Sequence, residues 1–389
     1  MLKTYCFKLY RSKRNRHLHD DIYLAGRIYN HCIALHRRYY KIFGKYLPKA
    51  TLQKHITKLK RTSKYAFWKA LNSQAIQDIT DRIDRGYQLF FRNLKRPPAG
   101  RAGKVRTSPP NFKKLVKYKS FTLKQSGYKL PARPAGGYEN VIEIKGVKYK
   151  FSKSREIDGT IKTITVKRST TGSIHIFIVC KQDMPSEVLA RTGKMVGFDF
   201  GLKTFLTASD KCDIVSPLFF KQNSNLIAKL SRELSRKKKG SNNRKKARLR
   251  LAKAHERIAN LRKDFHFKLA SYLCSEYAFI FIEDLNIKAM QRLWGKKISD
   301  LSHSKFVQIL KSQAVKFGTT VVEIPRFFPS SKTCSNCDYR LEELPLSQRS
   351  WVCPNCGVEH DRDFNAATNI LRVGASTLGR DTVRLALVS

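Results

Sequence analysis

Three carboxylates stand at the ends of elements. Asp199 interrupts MVGFDFGLKTFLT (195–207), Glu283 closes AFIFI (278–282) as Glu283-Asp284, and Asp363 lies in HDRDFNAATNI (360–370) ahead of a helical stretch of small residues. A charge among hydrophobes needs a partner or a cation, because even a neutral polar group costs about 2 to 7 kcal/mol to bury unpaired. Each acid also has a plainer role open to it. Asp199 could cap the turn at Gly201, Glu283 could favour a helix start before Ile287, and either Asp361 or Asp363 could be the N-cap of the last helix. Taken in order, strand, strand and helix, the three form the pattern by which an RNase H-like sheet gathers carboxylates around two divalent ions. Such ions sit roughly 3.5 to 4 Å apart and clamp the attacking and leaving oxygens of a phosphodiester.

Four cysteines carry a second chemistry. Cys334-x2-Cys337-x15-Cys353-x2-Cys356 is the spacing of two zinc knuckles, each turning two thiolates onto one tetrahedral ion. A redox pair is the rival for one such motif, but two at this spacing point to a ribbon whose zinc is structural. The other five, Cys6, Cys32, Cys180, Cys212 and Cys274, sit in strand-like or helical apolar contexts and read as core thiols. A reducing compartment fits.

The charge balance names the partner. Lys and Arg total 78 against 29 Asp and Glu in 389 residues, a net +49, which a self-repelling chain keeps for a strong polyanion. Nucleic acid is the first choice. A membrane surface is the alternative, yet no apolar run of about 18 residues occurs, and the start MLKTYCFKLYRSKR has no apolar core of a signal peptide. The expected location is the cytoplasm, on the nucleoid when bound. Residues 229–263 carry 15 Lys or Arg against Glu233 and Glu256. A charge run is ordinarily a solvated face, but the surplus here is chain-wide and favours a phosphate-tracking helical hairpin. Its candidate contacts are Lys237, Lys238, Lys239, Lys245 and Lys246.

Periodicity supplies the frame. Residues 1–10 alternate as a strand; 18–46, 52–59 and 73–94 have helical spacing, the last with Ile76, Ile79, Ile83, Tyr87 and Phe90 on one stripe. A Gly/Pro-rich break at 97–110 ends this basic bundle. Short strands with turn signals follow from 117 to 182 and predict a small barrel or sandwich, which residues 1–10 could join. After Asp183-Met184-Pro185 a third region begins. It holds the Asp199 hairpin, two long helices around 240–243, the Glu283 strand, a helix over 301–317 and a strand over 319–324.

These residues resemble the TnpB (OrfB) family of transposon-encoded RNA-guided endonucleases and the related compact type V CRISPR effectors. GFDFGLKTFLT resembles the first RuvC motif, FIEDLNIKAM the second and DRDFNAATNI the third; FFPSSKTCSNC and WVCPNC are similar to the inserted zinc ribbon. SQAIQDITDRIDRGYQLFF, PNFKK and YKSFT match weaker signatures, so the resemblance spans 1–372. Asp338 stands where the family usually has Gly, and the extreme N-terminus departs further.

The resemblance implies a multidomain α+β fold: a WED β-barrel (1–10 and 108–190) with an inserted helical REC bundle (11–107), then an RNase H-like α/β RuvC nuclease domain (191–329 and 359–373) with an inserted zinc ribbon (330–358); residues 374–389, beyond it, are expected to form a flexible tail. It implies a guide RNA made from the transposon end, target double-stranded DNA read beside a short adjacent motif, two Mg2+ on Asp199, Glu283 and Asp363, and one Zn2+ on the four cysteines. Charge balance and motif spacing alone point to a basic, zinc-containing, metal-dependent phosphodiesterase; the RNA guide comes from the resemblance.

Three rivals remain. A guided DNA-binding protein without cleavage would lack one acid, and all three are present. A type V CRISPR effector differs in genomic neighbourhood and guide source. An unguided transposase or resolvase would not need so large a basic bundle and barrel. The oligomeric state is open, with a monomer favoured.

Overall fold

The computed structural model describes residues 2–95, 108–132, 137–182, 193–345 and 347–386. The 183–185 junction and most of the 97–110 break lie outside them. The chain divides into two units, Met1–Met184 and Pro185–Ser389.

In the first unit the strand β1 (Leu2–Lys8) leads into the helices α1 (Asn15–Phe43), α2 (Lys49–Leu59) and α3 (Ser73–Leu94), then β2 (Ser120–Leu123), β3 (Val141–Ile144), β4 (Val147–Lys150), β5 (Thr160–Arg168) and β6 (Ile174–Lys181). The predicted elements are there. A 3-10 segment over Ser63–Ala70, which periodicity does not signal, lies between α2 and α3. The antiparallel sheet runs β1-β6-β5-β2, with β3–β4 a separate hairpin tied to the end of β1 by a Leu9–Phe151 bridge. Among the described residues the strands form this open sheet and hairpin, not a continuous closed ladder. Ile22, Ile28, Ile33, Ile76 and Ile79 of the helices share one buried cluster with Phe7, Phe121, Ile164, Val166 and Ile178 of the sheet. The helical stripe read from 73–94 therefore packs onto strands. Each such buried side chain contributes roughly 1.5 to 3 kcal/mol.

The second unit is built on β7 (Met195–Asp199), β8 (Thr204–Ala208), β9 (Ile214–Val215), the helices α4 (Phe219–Gln222), α5 (Ser224–Ser235) and α6 (Asn242–Glu276), β10 (Phe279–Glu283), α7 (Ile287–Leu301), α8 (His303–Phe317), β11 (Thr320–Ile324), β12 (Ser350–Val352), β13 (Glu359–Asp361) and α9 (Arg362–Ala386). The sheet order is β11-β10-β7-β8-β9. β10 is parallel to both β7 and β11, and β7–β8–β9 are antiparallel. The central strands are apolar up to their terminal acids because helices cover them: α8 packs on α6, and α9 lies across β7 and β10.

Two glycines let α9 come that close. A Cβ on Gly197 would stand 2.3 Å from the Ala367 carbonyl oxygen, and one on Gly374 2.1 Å from the Phe281 ring. α9 also corrects an expectation. It continues to Ala386 where the sequence predicts a flexible tail from 374, since Val373, Ala375 and Leu378 extend its apolar face onto Phe281 and Ile324.

The basic hairpin differs in detail from two long helices. Its first arm is short, α4 and α5, its turn covers 236–241, and its second arm is the 35-residue α6. Ser241 caps α6 by accepting from the Arg244 amide at 3.1 Å. Arg244 in turn donates to the Leu234 and Lys237 carbonyls at the end of α5, so this arginine fixes the turn. Asp300 anchors the base, accepting from the Phe220 and Lys221 amides and from Arg262 at 2.9 Å.

Candidate active site

The three acids fall on adjoining elements. Asp199 ends β7, Glu283 ends the parallel neighbour β10, and Asp363 sits in the first turn of α9, which crosses both strands. Two of their plainer roles are taken by neighbours. Asp361 caps α9, its Oδ1 accepting from the amides of Asp363 at 3.0 Å and Phe364 at 2.9 Å. Asn286 caps α7 by accepting from the Ala289 amide at 3.2 Å. Asp363 and Glu283 are thereby released from capping.

Electrostatics ties the three together. Burial pushes the Asp199 carboxyl up to about 7, and the charge of Asp363 adds to the push. Burial likewise raises Glu283 to about 7, followed by the charges of Asp199 and Asp284. Like charges gathered in a poorly solvated place resist ionising together until a cation joins them. The acids are more widely spread than the cysteine thiols, which are the one group of three or more ligating side chains within 4.8 Å of each other among the described residues. The Arg349 guanidinium donates to Asp363 at 3.3 Å. Asp284 is held separately by Arg326, at 2.6 Å between Nη2 and Oδ2, with a second bond from Nε to the Asp284 carbonyl oxygen.

The cysteines converge as their spacing predicts. Cys334 and Cys356 sulfurs are 3.6 Å apart, Cys337 and Cys353 3.5 Å, close to the roughly 3.8 Å edge of a thiolate tetrahedron around zinc with bonds of about 2.3 Å. Bonding to Asn355 and the Tyr339 amide draws Cys337 down to about 6, bonding to the Val358 amide lowers Cys356, and burial pushes Cys334 up to about 12. The donor set fits one divalent zinc. Each knuckle ends on a left-handed residue, Gly357 (φ 69°) in one and Asp338 (φ 64°) in the other. Asp338 occupies a conformation that favours glycine, and its carboxylate is paired with Arg372 of α9.

Sequence reasoning missed how the cysteine hairpin is fastened to the acid-bearing helix. Asn365 and Asn369, one turn apart on α9, both donate to the Thr333 carbonyl, at 2.8 and 2.6 Å, and Asn365 accepts from the Ser335 amide. His360 Nε2 lies 3.0 Å from Cys334 Sγ, a bond of the kind that orients a metal ligand. The available signal was Asn-x3-Asn at helical spacing beside the last acid. Arg349 and Arg326 carried none, being two among 78 basic residues.

The five lysines of the hairpin, Lys237, Lys238, Lys239, Lys245 and Lys246, are all exposed around its turn. No helix among the described residues is long and apolar enough to cross a membrane.

Comparison with known proteins gives the relationship. The OrfB family model of the IS605 type, described as "Probable transposase", matches residues 177–293, and the Cas12f1-like TNB domain matches 303–370. A Streptomyces pristinaespiralis protein named "Putative RNA-guided DNA endonuclease" is 30% identical over 321 residues, 82% of this chain and 76% of that one. The TnpB-like protein L79 of Acanthamoeba polyphaga mimivirus is 30% identical over 241 residues, 58% of this chain and 46% of its own. Among solved structures, the mini-RNA-guided endonuclease CRISPR-Cas phi3 shares the mixed α+β multidomain fold at 11% identity, with a TM-score of 0.52 over 96% of this chain and 92% of that one. With three acids at adjoining element ends, a four-cysteine hairpin bound to the last of those elements, and similarity at this level over most of its length, the chain belongs to the TnpB (OrfB) family.

Proposed function

We infer that this protein is an RNA-guided DNA endonuclease that hydrolyses phosphodiesters of target DNA at Asp199, Glu283 and Asp363. The observation that carries the reading is the position of these acids at the ends of β7 and β10 and the start of α9, where the charge of Asp363 raises Asp199 and that of Asp199 raises Glu283. Two Mg2+ ions held there would supply a Lewis acid for the scissile phosphate and a nucleophilic water at neutral pH. Asp199 and Glu283, once deprotonated, and Asp363 from the helix would hold the ions, and Arg349, released from Asp363, would be left to pair with the anionic phosphate. One zinc on Cys334, Cys337, Cys353 and Cys356 holds the hairpin that carries Arg349.

The strand order, with two antiparallel strands beyond β7 and two parallel ones before it, supports a RuvC-type RNase H-like domain (191–329 and from 359 through α9) with a zinc ribbon at 330–358. Residues 1–10 and 108–190 are assigned to a WED-like domain and 11–107 to a REC-like bundle, the two together reading the motif beside the target. The guide is a transposon-end RNA, and the exposed lysines at the α5–α6 turn contact its phosphates or those of the heteroduplex.

Replacing Asp199 or Glu283 by Ala tests the assignment. Cleavage of a matched target should vanish in both variants while guide and target binding persist. Retained cutting by the purified variants refutes it.

A further inference from the structure

The segment between β11 and the first knuckle exposes an aromatic ring at the same end of the sheet as Glu283. Phe327 is 92% exposed, against 57% for Phe43, the next most exposed phenylalanine among the described residues. Scattered apolar residues at a surface need no explanation, but a ring this bare usually lies on a loose loop. Phe327 does not. The turn beneath it is closed by the Phe328 amide donating to the Pro325 carbonyl at 3.1 Å and by the Ser330 amide donating to that of Phe328 at 2.9 Å. On one side Arg326 is clamped twice to Asp284; on the other Phe328 packs against the Phe281, Ile324 and Ile370 cluster.

This turn is indexed to the site. Glu283 pairs in register with Ile324, so Phe327 follows the residue opposite Glu283 by three positions, at most roughly 11 Å of chain. That is a reach of one or two nucleotides. Among the described residues no aromatic ring or cation covers either face of Phe327, whereas Arg326 and Lys332 flank it in sequence.

On the reading of the site given above, we propose that Phe327 is a stacking platform for one unpaired nucleobase of the DNA strand, next to the phosphate being cut. The ring holds that base by its face, and the strand on the acids is thereby kept single and in register. Stacking on an aromatic tolerates every base, so the platform adds affinity and register without sequence preference.

The test uses full-length, guide-loaded, target-activated protein and oligodeoxythymidylate as the single-stranded probe. Phe327→Ala should raise KM for Mg2+-dependent cleavage about tenfold with an unchanged Tm, and Phe327→Trp should restore it. A single abasic site is then walked along the probe, with affinity read by fluorescence anisotropy in Ca2+. Wild type should lose about tenfold at one position, and Phe327→Ala should lose nothing further there. A wild-type KM in Phe327→Ala, or an abasic loss that persists in that variant, overturns the platform. If wild type and Asp199→Ala cut alike, the catalytic assignment is what has failed; the abasic walk, which reads binding alone, still decides Phe327.

Discussion

Arg349 Nη1 lies 3.3 Å from Asp363 Oδ2 and 3.4 Å from Oδ1, so the residue just before β12 neutralises the acid that opens α9. The guanidinium and a divalent cation compete for the same carboxylate, and the phosphate offers the displaced guanidinium a new partner. Arg349→Ala should therefore lower the Mg2+ concentration for half-maximal cleavage while reducing the maximal rate by about two orders of magnitude, the usual loss when a donor to transition-state charge is removed. Metal titrations of the cleavage rate read both effects. Unchanged values of both would leave the ion pair a purely structural contact.

Metal binding should depend on pH around neutrality. Asp199 and Glu283 are both raised to about 7, above their ordinary carboxyl range, so below that pH each holds a proton that a cation must displace. Half-saturating Mg2+ should fall as pH rises through about 7 and level off near 8.5. The same shifts mean that the metal-free protein loses stability as pH rises from about 4 toward 7, where the folded state holds protons that the unfolded chain has released. Isothermal titration at several pH values, with proton release followed in two buffers, would expose a flat profile if the acids were not the ligands.

Zinc should matter to catalysis without touching substrate. The knuckle of Cys334 is fixed to α9 through Asn365, Asn369 and the Asp338–Arg372 pair, and the same hairpin presents Arg349 to Asp363. Elemental analysis should find about one zinc per chain. Cys353→Ser should cut cleavage by at least about tenfold, on the scale of losing ligand support, and leave guide RNA affinity near wild type. Full activity in a metal-free, folded protein would contradict this.

The α5–α6 turn makes a prediction about salt. If Lys237, Lys238, Lys239, Lys245 and Lys246 face phosphates, replacing them by Gln weakens binding equally for every target sequence. It also flattens the dependence of log affinity on log salt by roughly 0.7 to 0.9 for each phosphate the lysines no longer neutralise. Affinity measured across a salt series separates this from a merely solvated face, for which the slope stays put.

Much of this molecule is legible in its residues alone. The cysteine spacing specifies a metal cluster because two residues between thiols suit one tight turn, a local constraint. Helices and strands follow from periodicity, since burial of one face leaves a 3.6- or 2-residue trace. Asp199 and Glu283 stand out because charge at the end of an apolar strand is costly wherever that strand lies, and Asp363 because it follows them in order at the start of a helix.

What needed the tertiary structure is what depends on contacts between distant segments. Which aspartate caps α9 is undecided in sequence, as Asp361 and Asp363 have the same chemistry; only the backbone path aims one at the helix amides and the other at Arg349. The close approach of α9 rests on Gly197 and Gly374, and a missing side chain leaves no pattern of its own. The helix beyond residue 373 reads as a tail because small residues carry little periodic signal, yet Gly374 and Ala375 suit a helix laid flat on Phe281. Arg326 and Arg349 are invisible among so many cations, since charge alone does not say which carboxylate a guanidinium will meet; that is decided by the register of β10 with β11 and by the pairing of β12 with β13.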